Sequence, residues 1–376
     1  MVTKREHSVR GVIPETDYSP LEPMTPQTDS RFDPLDPGIE VFLRRQGVTG
    51  DYQLMPMPGG ANNRVYRVSQ PAGDLILKCY FQNAHDPRDR FGAERAFYEW
   101  VWSQTIRWTP EPLAWCAEKR LGLFTLAPGR KLSPDEVDSA RVGEALDFLS
   151  EINAARDLPA AQALPLASEA CFSLSQHLDC VDRRISRLQL ISSSEALDQP
   201  ALGFVKQELS PAWHQIRTAI RAEAAASGLP LDQAITPGHR CLSPSDFGFH
   251  NAILGADQRL RFFDFEYAGW DDSAKLVCDF FCQPQLSVNR RHWESFLGQL
   301  MNRVKADAAL PARARLLWPA YQIKWCCIML NEFVRSERDR RIFSAGAEMS
   351  AERLAGQLDK ARQALRKAVE TLPGEA

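Results

Sequence analysis

The sequence lacks the features that would assign it to a membrane, secreted or disulfide-rich class of protein. No run of apolar residues approaches the ~20 that a membrane-spanning helix requires. The charged amino-terminal segment, residues 1–11, has no apolar stretch behind it, so no secretory signal is predicted. The nine cysteines form no CxxC pair and no even framework of short spacings, which favours reduced, mostly buried thiols. These absences predict a cytoplasmic protein.

An excess of charge of either sign is also missing. Lys and Arg total 45 against 48 Asp and Glu, for a formal net charge of -3. A chain this balanced has no long-range attraction to nucleic acid or to an anionic membrane surface, so neither is predicted as a partner. The glycine-rich segment around Gly59 matches neither the GxGxxG pattern of dinucleotide oxidoreductases nor the GxxxxGK pattern of P-loop enzymes. Both of these classes are disfavoured.

What is present is enough apolar sequence for a large core, since 44% of the 376 residues are hydrophobic. Residues 1–36 carry prolines among Thr, Ser and acidic residues and are predicted to be a disordered tail. Residues 37–127 are predicted to form a small β-rich lobe, and residues 128–376 a larger helical lobe. The sequence therefore predicts an α+β fold of two lobes joined by a hinge at residues 126–129.

Hydrophobic periodicity predicts the elements of each lobe. In the small lobe, a short amphipathic helix at residues 38–46 precedes two strands joined by a turn at residues 70–74; a helix at residues 89–104 and two more strands follow. In the large lobe, helices are predicted at residues 135–155, 211–226, 292–304, 319–334 and 351–372, around one compact β segment at residues 242–266. Pro211 and Pro319 are each expected to open a helix, because the first helical turn tolerates proline.

The most informative segment is LSPSDFGFHNAILGADQRLRFFDFEYAGWDD, residues 242–272. The apolar runs NAIL and RLRFF flank the polar stretch GADQ, which predicts an antiparallel hairpin with Asn251 and Asp264 side by side at its open end. Asp246 lies in the incoming loop at the same end. Two carboxylates and an amide oxygen suit Mg²⁺ and leave one acid to act as a base. An ordinary turn rich in Asp, Asn and Gly is the competing interpretation.

Matching features occur in the predicted β-rich lobe. The segment PGGANNRVYRV places Gly59, Gly60 and Asn63 before a strand, where backbone N–H groups can approach a phosphate; an ordinary Gly/Asn turn is the alternative. Lys78 lies in the middle of the apolar strand LILKCYF, and Glu94 lies on the inward face of the following helix. Each alone is more often a surface charge, but together they are expected to pair, as a phosphate-gripping lysine requires.

These segments, spanning residues 54–282 in the right order, resemble the kinase-like fold of aminoglycoside phosphotransferases and choline kinases. The resemblance implies a bilobal protein-kinase-like fold. It also implies that GGANNRVYRV is the nucleotide loop, that Lys78 grips the phosphates of ATP or GTP, and that Glu94 steadies this lysine. Backbone groups of Thr125 to Ala127 would meet the nucleotide base.

For the larger lobe, the resemblance implies a catalytic loop, SDFGFHN, and a metal-binding strand end, FFDFEYAGWDD. Asp246 would accept the proton of the acceptor hydroxyl or orient that hydroxyl, and Asn251 and Asp264 would bind Mg²⁺. Asp279 matches a later aspartate of the family, with a structural role as open as a functional one. The implied activity is phosphorylation of a small-molecule hydroxyl.

One departure from the family pattern is that Pro244 and Ser245 stand where His and Gly usually precede the catalytic aspartate. It keeps open a catalytically inactive kinase-like module that binds nucleotide or a protein partner. A protein kinase is disfavoured, because no APE-like segment follows Asp264 and helix resumes quickly.

The acceptor is left open between amino alcohols, sugars and aminoglycosides. Trp318, Tyr321 and Trp325 recur at helical spacing, as an aromatic wall for a quaternary ammonium group would, but a plain core stripe explains them as well. A set of acidic residues could similarly meet a cationic acceptor or simply be solvated: Glu266, Asp271 and Asp272. The sequence does not predict the oligomeric state.

Overall fold

The structure is a computed structural model and describes residues 37–57, 62–81, 88–335, 337–338 and 350–370. It has a small lobe built on an antiparallel sheet and a larger, mostly helical lobe, which confirms the predicted two-lobed α+β architecture. The predicted disordered tail, residues 1–36, lies outside the described residues. Among the residues described, no helix is both long and apolar enough to cross a membrane.

The sheet of the small lobe has five strands in the order β1-β2-β3-β5-β4, with every neighbouring pair antiparallel. The strands are Gln53–Pro56 (β1), Arg64–Ser69 (β2), Leu75–Cys79 (β3), Pro112–Cys116 (β4) and Leu121–Thr125 (β5). Helix α1, Pro37–Arg45, packs on one face of this sheet. Its apolar residues Ile39, Phe42 and Leu43 share one helical face and enter the same core as Leu77 of β3.

Helix α2, Arg90–Ser103, lies against the other face of the sheet. Asp89 caps it by accepting a hydrogen bond from the backbone N–H of Gly92 at 3.1 Å. Because side chains alternate along a strand, Leu77 enters the core beneath α1, while Ile76 and Lys78 face α2. This alternation brings the one cation of β3 to the inner side of the lobe.

The large lobe is helical around a long central helix, α10, which packs against α5, α7, α8 and α11. Its helices are Ser139–Ala154 (α3), Pro159–Gln162 (α4), Leu174–Leu188 (α5), Gln199–Phe204 (α6), Ser210–Ala226 (α7), Ser273–Cys282 (α8), Trp293–Arg303 (α9), Leu310–Met329 (α10) and Ala351–Glu370 (α11). A π-helical turn, Val205–Leu209, joins α6 to α7. As expected, Pro211 lies in the first turn of α7.

The prediction that Pro319 opens a helix is wrong, because this proline lies inside α10. The helix begins at Leu310, with Pro311 in its first turn, and its buried residues Ala314 and Leu317 continue the apolar face ahead of Pro319. A proline inside a helix removes one backbone hydrogen bond. Packing against four neighbouring helices allows α10 to continue through it.

Two short antiparallel pairs stand at the junction of the lobes, where a single β segment was predicted. Strand β6, Cys241–Ser243, pairs with β9, Gly269–Asp271, and β7, Ala252–Leu254, pairs with β8, Leu260–Phe262. The chain leaving β5 passes through Gly129 and then forms an antiparallel bridge between Arg130 and Leu254. Gly129 has a φ of 153°, and a Cβ there would lie 2.4 Å from the carbonyl oxygen of Leu254, so the crossing requires glycine.

Candidate active site

The predicted hairpin is confirmed, and it brings Asn251 and Asp264 to one end. Ala252 pairs with Phe262, and the backbone N–H of Phe263 donates to the carbonyl oxygen of Asn251 at 3.1 Å. The side-chain amide of Asn251 donates to the backbone carbonyl of Asp246 at 3.0 Å, which holds the incoming loop against the hairpin. Since the NH₂ group of Asn251 makes this bond, its amide oxygen stays available as a ligand.

The expected pairing of Lys78 with Glu94 is present, and Asp264 joins it. The Nζ atom of Lys78 lies 2.6 Å from Oε2 of Glu94 and 2.5 Å from Oδ1 of Asp264. Burial alone would lower the pKa of Lys78, but Asp264 and Glu94 raise it above its usual range, so the ammonium form is favoured. The other oxygen of Glu94 accepts from the backbone N–H of Phe265 at 3.2 Å. Lys78 is therefore fixed from both lobes.

Backbone geometry directs Asp264 toward the cleft. Its φ is 69°, in the left-handed region that few residues other than glycine adopt, though Asp does so more readily than most. The next residue, Phe265, is buried and packs against Phe97 and Tyr98 of α2. About a third of the Asp264 side chain, 33%, remains exposed, so its carboxylate can meet both Lys78 and a ligand.

Glu266 is fully buried and is held by both asparagines of the loop before β2. The side-chain amides of Asn62 and Asn63 each donate to its carboxylate. The oxygen of Asn63 accepts from the backbone N–H of Phe81 at 3.1 Å, so both ends of this side chain contact protein groups. Asn63 thus links the loop to the large lobe, while Asn62 borders the cleft. Gly59 and Gly60, the other predicted nucleotide-loop residues, lie outside the described residues.

Asp246 lies at the mouth of the cleft with 35% of its side chain exposed. Oδ1 of Asp246 is 3.4 Å from Nε2 of His250. Burial would raise the pKa of Asp246, but His250, and more distantly Lys324 and Lys275, lower it below its usual range. The carboxylate form is therefore favoured at neutral pH.

The chemistry of the donor set fits a magnesium ion. Asp264 offers a partly exposed carboxylate, and Asn251 offers an amide oxygen beside it, which are the hard oxygen ligands this ion takes. Carboxylate oxygens of Glu94, Asp264 and Glu266 also lie within 4.8 Å of one another. Glu94 and Glu266 already accept hydrogen bonds from Lys78 and from the two asparagines, so Asp264 is the member with free capacity.

The predicted hinge residues Thr125 and Ala127 lie where the chain leaves β5. The backbone N–H of Thr125 donates to the carbonyl oxygen of Glu111, and its hydroxyl accepts from the backbone N–H of Glu111, both at 2.9 Å. The backbone N–H of Thr125 is therefore already used in a hydrogen bond to Glu111, next to β4. Ala127 is half-buried and comes before the glycine crossing at Gly129.

A cleft cavity of about 620 Å³ extends from Asp246 and Asp264 into the large lobe, between α5, α8, α10 and α11. Of the three aromatic residues considered for the acceptor, only Trp325 borders this cavity. Trp318 and Tyr321 are buried; Tyr321 hydrogen-bonds with His177 at 2.7 Å. The core interpretation therefore holds for two of the three.

The acidic residues considered for a cationic acceptor are buried and already have partners. Asp271 accepts from Lys275 at 2.6 Å, and Asp272 forms an ion pair with Arg313 at 2.7 Å. Glu266 is taken by the two asparagines described above. None of these three carboxylates lines the described part of the cleft cavity.

Sequence patterns missed the cations of the cavity wall. Arg184 and Arg187 come from α5, Lys324 from α10 and Lys360 from α11. Charged residues on helices are normally solvated, so their types and spacing alone give no signal. Only the packing of the three helices around one space distinguishes them.

The two lobes, with a lysine–glutamate pair in the smaller and an aspartate loop and hairpin in the larger, define a protein-kinase-like phosphotransferase architecture. The family model for the phosphotransferase enzyme family matches residues 53–317, and the chain belongs to that family. No curated protein matches the sequence.

Solved structures share this fold at low sequence identity. A choline/ethanolamine kinase family protein from Mesorhizobium loti is 15% identical, with a TM-score of 0.51 over 87% of this chain and 93% of that one. Choline kinase from Cryptosporidium parvum is 10% identical, with a TM-score of 0.56 over 89% and 97%. The ADP-bound aminoglycoside phosphotransferase APH(2'')-Ib is 14% identical, with a TM-score of 0.54 over 89% and 99%.

Proposed function

We propose that the protein is a small-molecule kinase that transfers the γ-phosphoryl group of ATP or GTP to a hydroxyl group of a small metabolite. The observation that carries the proposal is the position of Lys78 Nζ, 2.6 Å from Glu94 and 2.5 Å from Asp264. An ammonium group has three donors, so two hold it in place and one remains for a phosphate oxygen. Phosphoryl transfer depends chiefly on this kind of positioned charge.

In the proposed reaction, the acceptor hydroxyl oxygen bonds to the γ-phosphorus as the bond to the β–γ bridging oxygen breaks, releasing the nucleoside diphosphate. Asp246 orients the hydroxyl and takes its proton. Asn251 and Asp264 would hold Mg²⁺, which neutralises charge on the phosphates when bound. Lys78, steadied by Glu94, would fix the nucleotide phosphates.

The proposal assigns nucleotide binding to residues 37–127 and acceptor binding to residues 128–376. In the small lobe, Gly59, Gly60 and Asn63 would form the phosphate loop, and the segment from Thr125 to Ala127 would meet the base. The nine cysteines are all unpaired thiols, as a reducing compartment maintains, and we place the enzyme in the cytoplasm.

A nucleotide-consumption screen tests the proposal. The panel covers choline, ethanolamine, sugars, amino acids and aminoglycosides, and product is confirmed by mass spectrometry. Asp246→Asn should reduce transfer by about 10²–10⁴-fold, because the group that positions and deprotonates the hydroxyl is lost, while nucleotide binding persists. Asp232→Asn, at an exposed aspartate away from the cleft, is the matched control and should keep full activity. Full transfer by Asp246→Asn would refute the assignment.

A nucleotide-binding module without transfer activity is the second candidate, and the Pro244–Ser245 sequence before Asp246 is the observation that favours it. This candidate predicts Mg²⁺-dependent thermal stabilisation by ATP with no product from any acceptor in the panel. The kinase proposal predicts the same stabilisation together with an Asp246-dependent product.

A further inference from the structure

The wall of the cleft cavity is rich in cations. Among the described residues, six positively charged side chains line it: Arg88, Arg184, Arg187, Lys275, Lys324 and Lys360. Apart from Asp246 and Asp264, which the proposed function assigns to the reaction, two carboxylates line it, Glu169 and Asp279. The lining of this part of the cavity therefore has more positive than negative side chains, although Asp271 pairs with Lys275 and Glu337 with Arg187 from behind it.

Neither of these two carboxylates is free to bind a cationic ligand. Asp279 accepts two hydrogen bonds from Lys324, both at 2.8 Å, and one from the indole of Trp325 at 3.0 Å; Lys275 lies 3.7 Å away. Glu169 forms an ion pair with Arg184. Burial would raise the pKa of Glu169, but Arg184 and Lys324 lower it to about 2. A quaternary ammonium or aminoglycoside amine would find these negative charges already neutralised.

The arginines, in contrast, keep unused donors. Arg184 makes one hydrogen bond with a described residue, to Glu169, and its buried Nε–H has no acceptor. Arg187 donates to Glu337 at 3.0 Å and to Asn331 at 2.7 Å, and its Nε–H also lacks an acceptor. Buried donors normally have partners, so these guanidinium groups can donate further hydrogen bonds to an anionic ligand.

Like charges are also gathered here, and Arg88 and Arg187 share one carboxylate, that of Glu337. Arg184 and Arg88 both oppose the charge of Arg187, and the pKa of Arg187 is lowered, first by burial and then by these neighbours. Lys360 is exposed on α11, lines the cavity, and makes no hydrogen bond or ion pair with a described residue. Placing an anion among these groups would relieve their repulsion.

We propose that the phosphoryl acceptor is an anionic alcohol, whose hydroxyl meets Asp246 while its carboxylate or phosphate group binds the cationic wall formed by Arg184, Arg187, Lys324 and Lys360. This inference rests on the proposed kinase function and narrows the acceptor to alcohols that carry a negatively charged group. Arginine suits both oxyanions, because its planar fork of donors matches carboxylate and phosphate geometry.

Matched pairs of alcohols that differ in an anionic group test the proposal. The carboxylate pairs are serine with ethanolamine, carnitine with choline, and glycerate with glycerol; glycerol 3-phosphate with glycerol is the phosphate pair. In at least one pair, the member that carries the carboxylate or phosphate group should show a kcat/KM about tenfold or more above its partner, equivalent to about 1.4 kcal/mol. Which arm responds identifies the oxyanion. If the member without the anionic group had the higher kcat/KM in every pair, the inference would be overturned, while the kinase function would stay intact.

Calorimetric titration of the same compounds without nucleotide keeps the inference separate from the activity. If no acceptor in the panel gave a product and the kinase proposal was wrong, tighter binding of a compound with the anionic group than of its partner would still support the cationic wall as an oxyanion site. If no compound with the anionic group bound more tightly than its partner, the inference of an oxyanion site would be overturned.

Two charge-neutral variants locate the effect. Arg184→Gln should raise KM for the preferred anionic alcohol by about tenfold with little change for its uncharged partner. Arg183→Gln, one residue earlier and exposed outside the cavity, is its control. Lys360→Gln removes an exposed lysine that has no hydrogen bond or ion pair with the described residues, so it addresses the same question if Arg184→Gln folds poorly. Lys367→Gln, also exposed on α11, is its control. Equal losses for charged and uncharged alcohols would mark the wall as structural and refute the proposal.

Discussion

The ion cluster at Lys78 allows a quantitative test of how strongly its buried charges stabilise the fold. Lys78→Met removes the cation but keeps a flexible unbranched side chain of similar size, so the cost of a cavity is small. The carboxylates of Glu94 and Asp264 would lose their shared partner, and Glu266 lies within 4.8 Å of both. Glu94 is 1% exposed, so water is unable to replace the lost contact.

The expected cost follows from that burial. Breaking a buried ion pair by removing one partner costs about 3–5 kcal/mol, because an uncompensated charge is left behind. Lys78→Met should therefore lower the free energy of unfolding by this amount. The double variant Lys78→Met/Glu94→Gln removes both charges of the pair and should be less destabilised than the two single costs added together, with a coupling of about 1–3 kcal/mol.

Urea denaturation followed by circular dichroism, without nucleotide, measures these quantities for the wild type, both single variants and the double variant. Lys367→Met, at an exposed position on α11, is the control and should change stability by less than about 0.5 kcal/mol. A Lys78→Met protein within about 1 kcal/mol of the wild type, or additive costs in the double variant, would show that Lys78 and Glu94 are not coupled as a buried pair.

Two further predictions concern stability. Arg313→Met should lower the free energy of unfolding by about 3–5 kcal/mol, because it removes the arginine paired with the fully buried carboxylate of Asp272 and leaves His177 as its side-chain partner. Arg315→Met, on the exposed side of the same helix, should cost less than about 1 kcal/mol. Burial alone would raise the pKa of Asp272, but hydrogen bonds lower it below its usual range. The stability that the ionised carboxylate contributes is therefore fully present above the unfolded-state pKa of about 4. It is lost only as the pH falls through the lower pKa of the folded state. Urea titrations at about pH 7.5 and about pH 5.5 should give the same difference in the free energy of unfolding between Arg313→Met and the wild type. If this difference shrank as the pH was lowered over this range, the pairing of Arg313 with an ionised Asp272 would be contradicted. Gly129→Ala should reduce the thermal midpoint of unfolding, because the added Cβ would overlap the neighbouring carbonyl. Gly143→Ala, in open space on α3, should leave the midpoint unchanged or raise it. Equal shifts of the midpoint in the two variants would refute this account of the crossing.

Features fixed by local periodicity were predictable from the sequence. Alternation in β3 turned Lys78 toward α2, and helical spacing turned Glu94 inward, so their pairing followed from two local patterns. The hairpin was predictable in the same way, since the turn between two short apolar runs fixes which residues meet at the open end.

Features that depend on tertiary packing were not predictable. Lys78 and Asp264 are 186 positions apart, and nothing local signals that they touch. Arg183 and Arg184 are adjacent and chemically identical, yet one is exposed outside the cavity and the other lines it. Their difference depends on how α5 packs against α10, which a single helical pattern does not encode.

The departure from the family pattern before Asp246 acquires a physical explanation in this packing. Ser245 has a φ of 66°, the left-handed conformation that glycine adopts freely and that costs another residue about 1–2 kcal/mol. Two contacts offset that cost: the backbone N–H of Ser245 donates to the hydroxyl of Ser243 at 3.0 Å, and its own hydroxyl accepts from the buried Lys275 at 3.1 Å. Lys275 also lines the cleft cavity. The serine therefore preserves the glycine-like backbone and ties the loop that carries Asp246 to a buried lysine, so that the position of the proposed catalytic carboxylate depends on a residue that also lines the cleft cavity.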